Sequence, residues 1–404
     1  MTKTDFNYLF SPKFSADYQK YQSFSDQELD RLLLSSKISP TLATQIKNRR
    51  RAAKRFSRAA ELFFTSSGLE QASSETVAAC IAARAAKFPK IVDLGCGLGF
   101  NSIFLAAAGA SVLAVERDLE RLYLARANAK VHQVVEEIKF LEGDFLEPSF
   151  ADFYKNNFPV SDSVPAFFLD PARNLASGVK TRSLLNSQPN LFELLPQILE
   201  FTENVAVKIS PAFDYQELEQ LPGDPEVEVI SENGVCKVAM LWFGAFKETR
   251  RRATVLKAGQ KTFSLSSGPE SLAFSLPTNY LYFPDKAVAR AQLTLAFAAA
   301  YDLKPISPTN PLLSSADFKA VPASRYFKII SQGRFSLKCL KRLLKEEKIE
   351  RAELIVRQIK LSAEELRSRL KLQEGGGKTI FIFAAEQKGN YYILAENIQK
   401  YSGR

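Results

Sequence analysis

The stretch Lys90–Ser102, KIVDLGCGLGFNS, is the part of this sequence that is most informative about its fold. It contains an apolar strand, an acid, three glycines at alternate positions and the start of a helix. Glycines that follow a strand let the backbone approach a ligand closely and leave the N–H groups at the start of the helix open. The stretch therefore predicts a ligand-binding turn at the carboxyl end of a parallel strand.

Acidic residues end the strands that follow this turn. Glu116 comes 21 residues after Gly95, at the end of the second predicted strand, while Asp144 ends the third strand and Asp170 ends the fourth. Together with Asp93, these four carboxylates converge on the crevice where parallel sheets bind their ligands. A carboxylate at the end of the second strand can accept hydrogen bonds from both hydroxyls of a ribose. A solvated strand end explains one such acid, but four in register favour a binding site.

Short apolar runs alternate with helix-compatible segments through the middle of the chain, which is typical of βαβ units and a parallel sheet. The predicted strands cover residues 91–94, 111–115, 138–141, 166–169 and 205–209. Two more, at 227–231 and 238–243, flank the turn Glu232-Asn233-Gly234, and we expect this hairpin to end the sheet as an antiparallel edge. The fold class is therefore α/β, with a Rossmann-like, mostly parallel sheet between a helical N-terminal segment and an α+β C-terminal region.

Charge and predicted secondary structure divide the chain into four segments. Residues 1–75 form a basic helical segment with 12 Lys and Arg against 8 Asp and Glu, and residues 76–250 form the sheet domain with 16 against 23. Residues 251–320 form a connector and a small ferredoxin-like domain with 8 against 4, and residues 321–404 form an α+β domain with 18 against 9. An acidic core between basic ends fits a catalytic domain with surfaces that hold a polyanion, although solvated helices give the same counts.

Two long helices and one compact module are expected within these segments. A basic amphipathic helix is predicted over residues 42–64, and its part Lys47–Arg58 carries seven cations and no acid. An alanine-rich helix is predicted over residues 286–301. From residue 325 the pattern predicts a module in the order strand, helix, strand, helix, strand, strand, ending at residue 396.

The composition excludes several kinds of site. Four cysteines without a CxxC pair and the single His132 predict neither a zinc site nor a disulfide framework, so we expect no metal. No 18-residue apolar run is present, and the N-terminus lacks the basic start and apolar run of a secretory signal. We therefore expect a cytoplasmic protein with no membrane partner.

The motifs DLGCGLG (93–99), VERD (115–118), EGDF (142–145) and DPAR (170–173) resemble those of class I S-adenosylmethionine-dependent methyltransferases. Dinucleotide-binding enzymes instead use G-x-G-x-x-G, whereas this chain has G-x-G-x-G with an acid two residues ahead. The resemblance implies that S-adenosyl-L-methionine is the cofactor. It assigns the methionyl part to Asp93, Gly95 and Gly97, with Gly99 in the same turn, the ribose to Glu116 with Arg117 beside it, and the adenine to Asp144 and Phe145.

Over most of residues 60–396 the chain is similar to a bacterial group of these enzymes with a THUMP-like C-terminal domain. The matching pieces are Leu69–Glu75, DPAR with Arg182, Lys208–Pro211 with Asp214, Tyr280–Asp285 and residues 337–395. A second arginine that usually follows DPAR in the group is Asn174 here. Since THUMP domains in related enzymes hold structured RNA, the resemblance implies RNA as partner and acceptor, and the nine surplus positive charges of the last segment suit that role.

The fourth strand leads to the predicted catalytic residues, Asp170 and Arg173. Asp170 either accepts a proton or hydrogen bond from the nucleophile or fixes the methionyl ammonium group. Arg173 either holds a substrate phosphate or orients Asp170. Lys208 and Ser210, at the end of the fifth strand, face the same crevice and are weaker candidates.

Three acceptor classes follow from these motifs. The aromatic residue of the (D/N)PP(Y/F/W) motif of amino-group methylation is absent, and no cysteine follows the fifth strand to support covalent attack on a pyrimidine ring. The sequence favours methylation of a nucleotide in structured RNA. The alternatives are a non-catalytic RNA-binding protein that retains the cofactor fold, and a methyltransferase for a small molecule or a protein.

Overall fold

The computed structural model describes residues 3–158, 165–172, 183–308, 310–385 and 389–398. The chain divides into two compact units. The first contains Met1–Val227 and Lys237–Glu248, and the second contains Glu228–Cys236 and Thr249–Arg404. The predicted binding turn and all four strand-end acids belong to the first unit.

A mostly parallel sheet forms the centre of the first unit, in the strand order β3-β2-β1-β4-β5-β7. Strands β1 to β5 run parallel and β7 runs antiparallel to β5, which confirms the predicted fold class. Strand β4 is buried along its length because helices cover both faces of such a sheet, and it therefore appears in the sequence as an unbroken apolar run. The strands are β1 Lys90–Leu94, β2 Ser111–Glu116, β3 Ile138–Glu142, β4 Ala166–Leu169, β5 Val205–Ile209, β6 Glu226–Glu232 and β7 Val235–Trp242.

Eleven α-helices lie in the described part of the first unit. Ser25 caps α3 in a capping box with Glu28, and Ser74 caps α6. The helices are α1 Lys3–Leu9, α2 Pro12–Tyr21, α3 Asp26–Leu34, α4 Pro40–Ala52, α5 Ser66–Gln71, α6 Glu75–Ala85, α7 Phe100–Ala107, α8 Leu119–Val131, α9 Phe150–Asn157, α10 Leu191–Leu199 and α11 Tyr215–Leu218.

The predicted long helix over residues 42–64 is wrong beyond Ala52, where α4 ends. The chain then turns back, and buried side chains of α4 bind the backbone of the returning segment. Gln45 Nε2 donates to the Phe64 carbonyl at 2.7 Å, and Arg49 Nε donates to the Leu62 carbonyl at 2.8 Å. Helical periodicity cannot reveal these contacts because they join residues 13 and 19 positions apart.

Most cations of the basic stretch Lys47–Arg58 have partners inside the first unit. Arg49 is buried, and its guanidinium lies 4.4 Å from the centre of the Tyr18 ring. The other contacts are Lys47 with Asp30 (2.6 Å), Arg50 with Asp26 (2.9 Å), Arg51 with Glu70 (3.6 Å), Arg55 with the Ala72 carbonyl (3.0 Å) and Arg58 with Glu61 (2.7 Å). This stretch therefore stabilises the N-terminal helices and offers little unpaired charge to a polyanion.

The second unit begins with the strand order β6-β8-β9, in which β8 is Arg251–Leu256 and β9 is Phe263–Leu265. The expectation that the hairpin strand β6 ends the sheet is therefore wrong. Residues 253–256 are buried along β8, and antiparallel pairing with β9 satisfies its backbone groups.

A second sheet completes this unit in the order β11-β12-β10-β13-β16-β15-β14. Helices α14 and α15 pack on it through a core that includes Leu340, Leu366 and Ile380, and the predicted module over residues 325–396 is confirmed in element type and order. The predicted helix over 286–301 is instead two helices, because Gln292 adopts a left-handed φ of 59°. The elements are β10 Tyr280–Pro284, α12 Lys286–Arg290, α13 Thr294–Ala300, β11 Lys304–Pro305, β12 Leu313–Ser315, β13 Ser324–Arg334, α14 Leu337–Glu346, β14 Glu353–Arg357, α15 Ala363–Leu370, β15 Lys378–Ala385 and β16 Gly389–Asn397.

Candidate active site

The glycine turn between β1 and α7 has a left-handed backbone at each of its three glycines, with φ of 80° at Gly95, 58° at Gly97 and 81° at Gly99. A Cβ atom at Gly95 or Gly97 meets nothing within 4 Å, whereas one at Gly99 lies 2.8 Å from Ala125 Cβ. The first two glycines thus face open space, and the third lets the turn pack against α8. Asn128 of α8 supports the turn by donating to the Leu98 carbonyl at 3.2 Å.

Glu116 joins the end of β2 to this turn. Its Oε2 accepts a hydrogen bond from Gly97 N at 2.9 Å, and its Oε1 accepts one from Asp118 N at 3.0 Å. The side chain is only 7% exposed. The structure therefore brings together the first and second predicted motifs, as a site for a ribose next to the glycine turn requires.

Arg117 and Asp144 meet at the neighbouring strand ends. Arg117 Nη1 lies 3.3 Å from Asp144 Oδ2, and Leu146 N donates to Asp144 Oδ1 at 3.0 Å. The Arg117 side chain is mostly exposed, while Phe145 is buried with its ring centre 6.4 Å from that of Phe153. These contacts place a carboxylate and an aromatic ring where the third motif was expected to hold an adenine.

Asp93 is fully buried on β1. Ser102 Oγ donates to its Oδ2 at 2.6 Å, but its Oδ1 has no hydrogen-bond partner among the described residues. Burial raises the pKa of Asp93 to about 7, against the hydrogen bond from Ser102. The charges of Asp170 and Glu116 raise this pKa further, and that of Lys208 lowers it. A buried carboxylate oxygen without a donor is a suitable partner for a cationic ligand.

Asp170 at the end of β4 is held by two donors. Lys208 of β5 forms an ion pair with its Oδ2, and Asn101 Nδ2 of α7 donates to the same oxygen at 3.3 Å. Sequence reasoning ranks Lys208 as a weaker candidate and misses Asn101, although an asparagine in the first turn of an apolar helix is a usable signal. Asp93, Glu116, Asp170 and Lys208 thus form one charged cluster at the carboxyl ends of the parallel strands.

The charged cluster described above does not include the remaining candidates. Arg173, with Asn174 and Arg182, is outside the described residues. His132 is half-buried at the end of α8, 5.8 Å from the Phe104 ring, and burial lowers its pKa. Burial raises the pKa of the Cys96 thiol within the glycine turn, which makes it a poor nucleophile. Within the described ranges, no three His, Cys, Asp or Glu side chains are placed to hold a metal ion, and no helix is long and apolar enough to cross a membrane.

The cluster fits S-adenosyl-L-methionine. Asp93 Oδ1 can accept from the methionyl ammonium group, and the open side of Gly95 and Gly97 leaves room for the backbone to approach the ligand. The carboxylates of Glu116 and Asp144 stand at strand ends in the order that a ribose followed by an adenine needs. Three acids against one lysine give the described cluster a net negative charge, which favours a cationic cofactor.

Family models match two parts of the chain. Residues 88–245 match the family described as RNA cap guanine-N2 methyltransferase, and residues 324–396 match the family described as THUMP domain-like. An uncharacterised S-adenosylmethionine-dependent methyltransferase of Mycobacterium tuberculosis is 29% identical over 313 residues, which cover 77% of this chain and 81% of the relative. A release factor glutamine methyltransferase of Chlorobaculum tepidum is 34% identical over 121 residues, which cover 30% of this chain and 40% of the relative.

A solved structure supports the fold over nearly the whole chain. A crystal structure from Porphyromonas gingivalis W83, assigned to the methyltransferases, aligns with a TM-score of 0.72 and 23% identity, covering 96% of this chain and 98% of the other. The architecture of both units is therefore one that already occurs in a methyltransferase-type protein.

Substitutions at two of the three turn glycines, Gly97 and Gly99, distinguish an effect on cofactor binding from an effect on stability. Gly97→Ala directs a methyl group into open space, so we expect at least a tenfold loss of S-adenosyl-L-methionine affinity by calorimetry and a loss of about 1 kcal/mol in unfolding free energy from left-handed strain. Gly99→Ala adds the clash with Ala125, so we expect about 2 kcal/mol or more in denaturant unfolding. Gly109→Ala, with φ of 102° and open space, is the control for strain alone. Wild-type affinity in Gly97→Ala would contradict the assignment.

The pKa of Asp93 predicts opposite effects of pH on binding and on stability. Binding of a cation needs the ionised form, so S-adenosyl-L-methionine affinity rises from pH 6 to pH 8. Because the folded pKa lies above the unfolded value, the native state binds more protons, and the stability of the cofactor-free protein falls as pH rises from about 4 to about 7.

In Asp93→Asn, we expect both the affinity for S-adenosyl-L-methionine and the stability of the protein to depend less on pH. Affinity at pH 8 falls by roughly tenfold or more, since a hydrogen bond to a charge is lost. Calorimetry and thermal unfolding across this pH range measure both effects. Glu142→Gln removes an exposed acid at the end of β3 and serves as the control. Unchanged curves in Asp93→Asn would show that Asp93 does not titrate in this range.

Proposed function

We propose that this chain, a class I S-adenosylmethionine-dependent methyltransferase with a THUMP-like C-terminal domain, methylates a nucleotide of structured RNA. The observation that carries this proposal is the match of residues 88–245 to a family described as an RNA methyltransferase, on the same chain as a THUMP-like module. The proposal places the protein in the cytoplasm, together with its RNA.

The charge of the THUMP-like module supports an RNA partner. Lys338, Lys341 and Lys345 lie on one face of α14 and are exposed. No hydrogen bond or ion pair joins their side chains to another described residue, whereas the neighbouring Arg342 lies 3.7 Å from Glu346. Three unpaired ammonium groups along one helix face suit contacts with successive phosphates.

Within this proposal, the residues of the site divide into two groups. The cofactor supplies an electrophilic methyl group on a sulfonium. Asp93 and the turn of Gly95, Gly97 and Gly99 hold the methionyl part, Glu116 with Arg117 beside it holds the ribose, and Asp144 with Phe145 holds the adenine. Because the transfer is an in-line displacement, the main work of these residues is to position the methyl group and exclude water.

Asp170 and Arg173 serve the acceptor side. Asp170 reaches the crevice from β4 and can accept a hydrogen bond from the attacking group. We assign Arg173 to a phosphate of the acceptor. We retain the division into segments 1–75, 76–250, 251–320 and 321–404 as a functional one, in which the last segment holds RNA and the second performs the transfer.

Transfer of labelled methyl from S-adenosyl-L-methionine to total RNA, taken from a strain that lacks the gene, tests the proposal. We expect label in a discrete RNA species with the wild-type protein, and at least a hundredfold less with Asp170→Asn, because the charge beside the nucleophile is lost. Glu142→Gln is the control. Cofactor binding without label in any RNA would overturn the proposal, and label in protein or in small metabolites would identify the other acceptor classes.

Neutralising one face of α14 tests the RNA surface separately. In the triple variant Lys338→Gln, Lys341→Gln and Lys345→Gln, we expect weaker RNA binding and a slope of log affinity against log salt that is smaller by about 2 to 3. Affinity for S-adenosyl-L-methionine stays at the wild-type value. The matched control replaces the exposed lysines Lys37, Lys155 and Lys261. Equal slopes in the two triple variants would remove this face from the interface.

A further inference from the structure

The carboxylate of Asp170 is occupied on one oxygen. Lys208 and Asn101 both donate to Oδ2, and no described residue donates to Oδ1. The lysine side chain is 2% exposed, while that of Asp170 is 21% exposed. The ion pair is therefore buried on the lysine side, whereas the Asp170 side chain stays partly accessible.

The pair belongs to a cluster of four charged groups, each from a different strand. Asp93 comes from β1, Glu116 from β2, Asp170 from β4 and Lys208 from β5. Lys208 opposes the effect of the other two acids on the pKa of Asp93, and the Cys96 thiol also faces the acids. Without the lysine, the three carboxylates of this cluster would have no opposing charge within it.

We propose that Lys208 is a positioning residue for methyl transfer, which together with Asn101 holds Oδ2 of Asp170 and leaves Oδ1 available to the attacking group. An ionised carboxylate can only accept hydrogen bonds, so the geometry selects a nucleophile that carries hydrogen, such as an amino nitrogen. This choice of acceptor rests on the proposed function, whereas the role of Lys208 toward Asp170 does not.

The proposed reaction moves one methyl group to the nucleophile and removes one proton from it. With S-adenosyl-L-methionine bound, the lone pair of the nucleophile would form the bond to the methyl carbon, and the electron pair of the broken carbon–sulfur bond would stay on sulfur. Positive charge develops on the nucleophile, next to Asp170, which stabilises it. The proton lost from the nucleophile passes to Asp170 Oδ1 and then to water.

Binding of S-adenosyl-L-methionine to Lys208→Met tests the electrostatic action of Lys208 on the charged cluster without any acceptor. Methionine has a similar length and no charge, and calorimetry is carried out from pH 5.5 to 8.5. Because Lys208 lowers the pKa of Asp93, we expect the acid-side midpoint of the affinity curve to move up by about one pH unit in the variant. At pH 8.5 the affinity equals or exceeds that of the wild type, because a cation has been removed from a site that binds a cation. A merely structural loss would weaken binding at every pH and leave the midpoint unmoved.

A double-mutant cycle with Asp170→Asn tests whether Lys208 acts through Asp170. With methylated RNA as the readout, we expect Lys208→Met to lower turnover at pH 7 by at least tenfold. In the Asp170→Asn background the same change costs less than twofold, because the group that it positions is already lost. The control is Arg325→Met, which removes an ion pair with Glu353 in the second unit.

Two results would overturn the inference: an unmoved midpoint in Lys208→Met, or losses that add fully in the double variant. If the wild-type protein methylates no RNA, the proposed function fails, but the midpoint measured without acceptor still tests whether Lys208 acts on the charged cluster.

Discussion

The burial of Asp93 constrains the rest of the site. A carboxylate in the interior of a parallel sheet is costly unless donors or opposite charges compensate it. Here Ser102 supplies one hydrogen bond, and Lys208, two strands away in the sheet, supplies the opposing charge. The second oxygen, Oδ1, has no donor among the described residues. A bound cation would therefore stabilise the ionised form of Asp93.

A hydrogen bond joins the glycine turn to one of the strand-end acids beside Asp93. Glu116 accepts from the backbone of Gly97, so the acid that is expected to bind the ribose also fixes the turn that is expected to bind the methionyl part. Asn128 holds the turn from the other side, and it also accepts from Phe63 N at 2.8 Å. The N-terminal helices are therefore coupled through hydrogen bonds to the turn itself.

This coupling changes the interpretation of the positive charge. The basic stretch Lys47–Arg58 is the densest in the sequence, yet most of its side chains bind acids, carbonyls or aromatic rings within the first unit. In α14, by contrast, three lysines on one face have no partner among the described residues. Charge density along a sequence thus identifies cations, but only the tertiary contacts separate those that stabilise the fold from those available to a polyanion.

Local sequence patterns predict the parallel sheet, the glycine turn, the four strand-end acids and the order of elements in the C-terminal module. These features depend on local periodicity and on residues close together in the chain, which is why strands such as 166–169 and 205–209 were predicted to the residue. Tertiary structure alone decided where α4 ends, because contacts from Gln45 and Arg49 to distant carbonyls stop it. It also decided the pairing of Asp170 with Lys208 and Asn101, since three residues separated by 38 and 69 positions meet only when β4, β5 and α7 pack together.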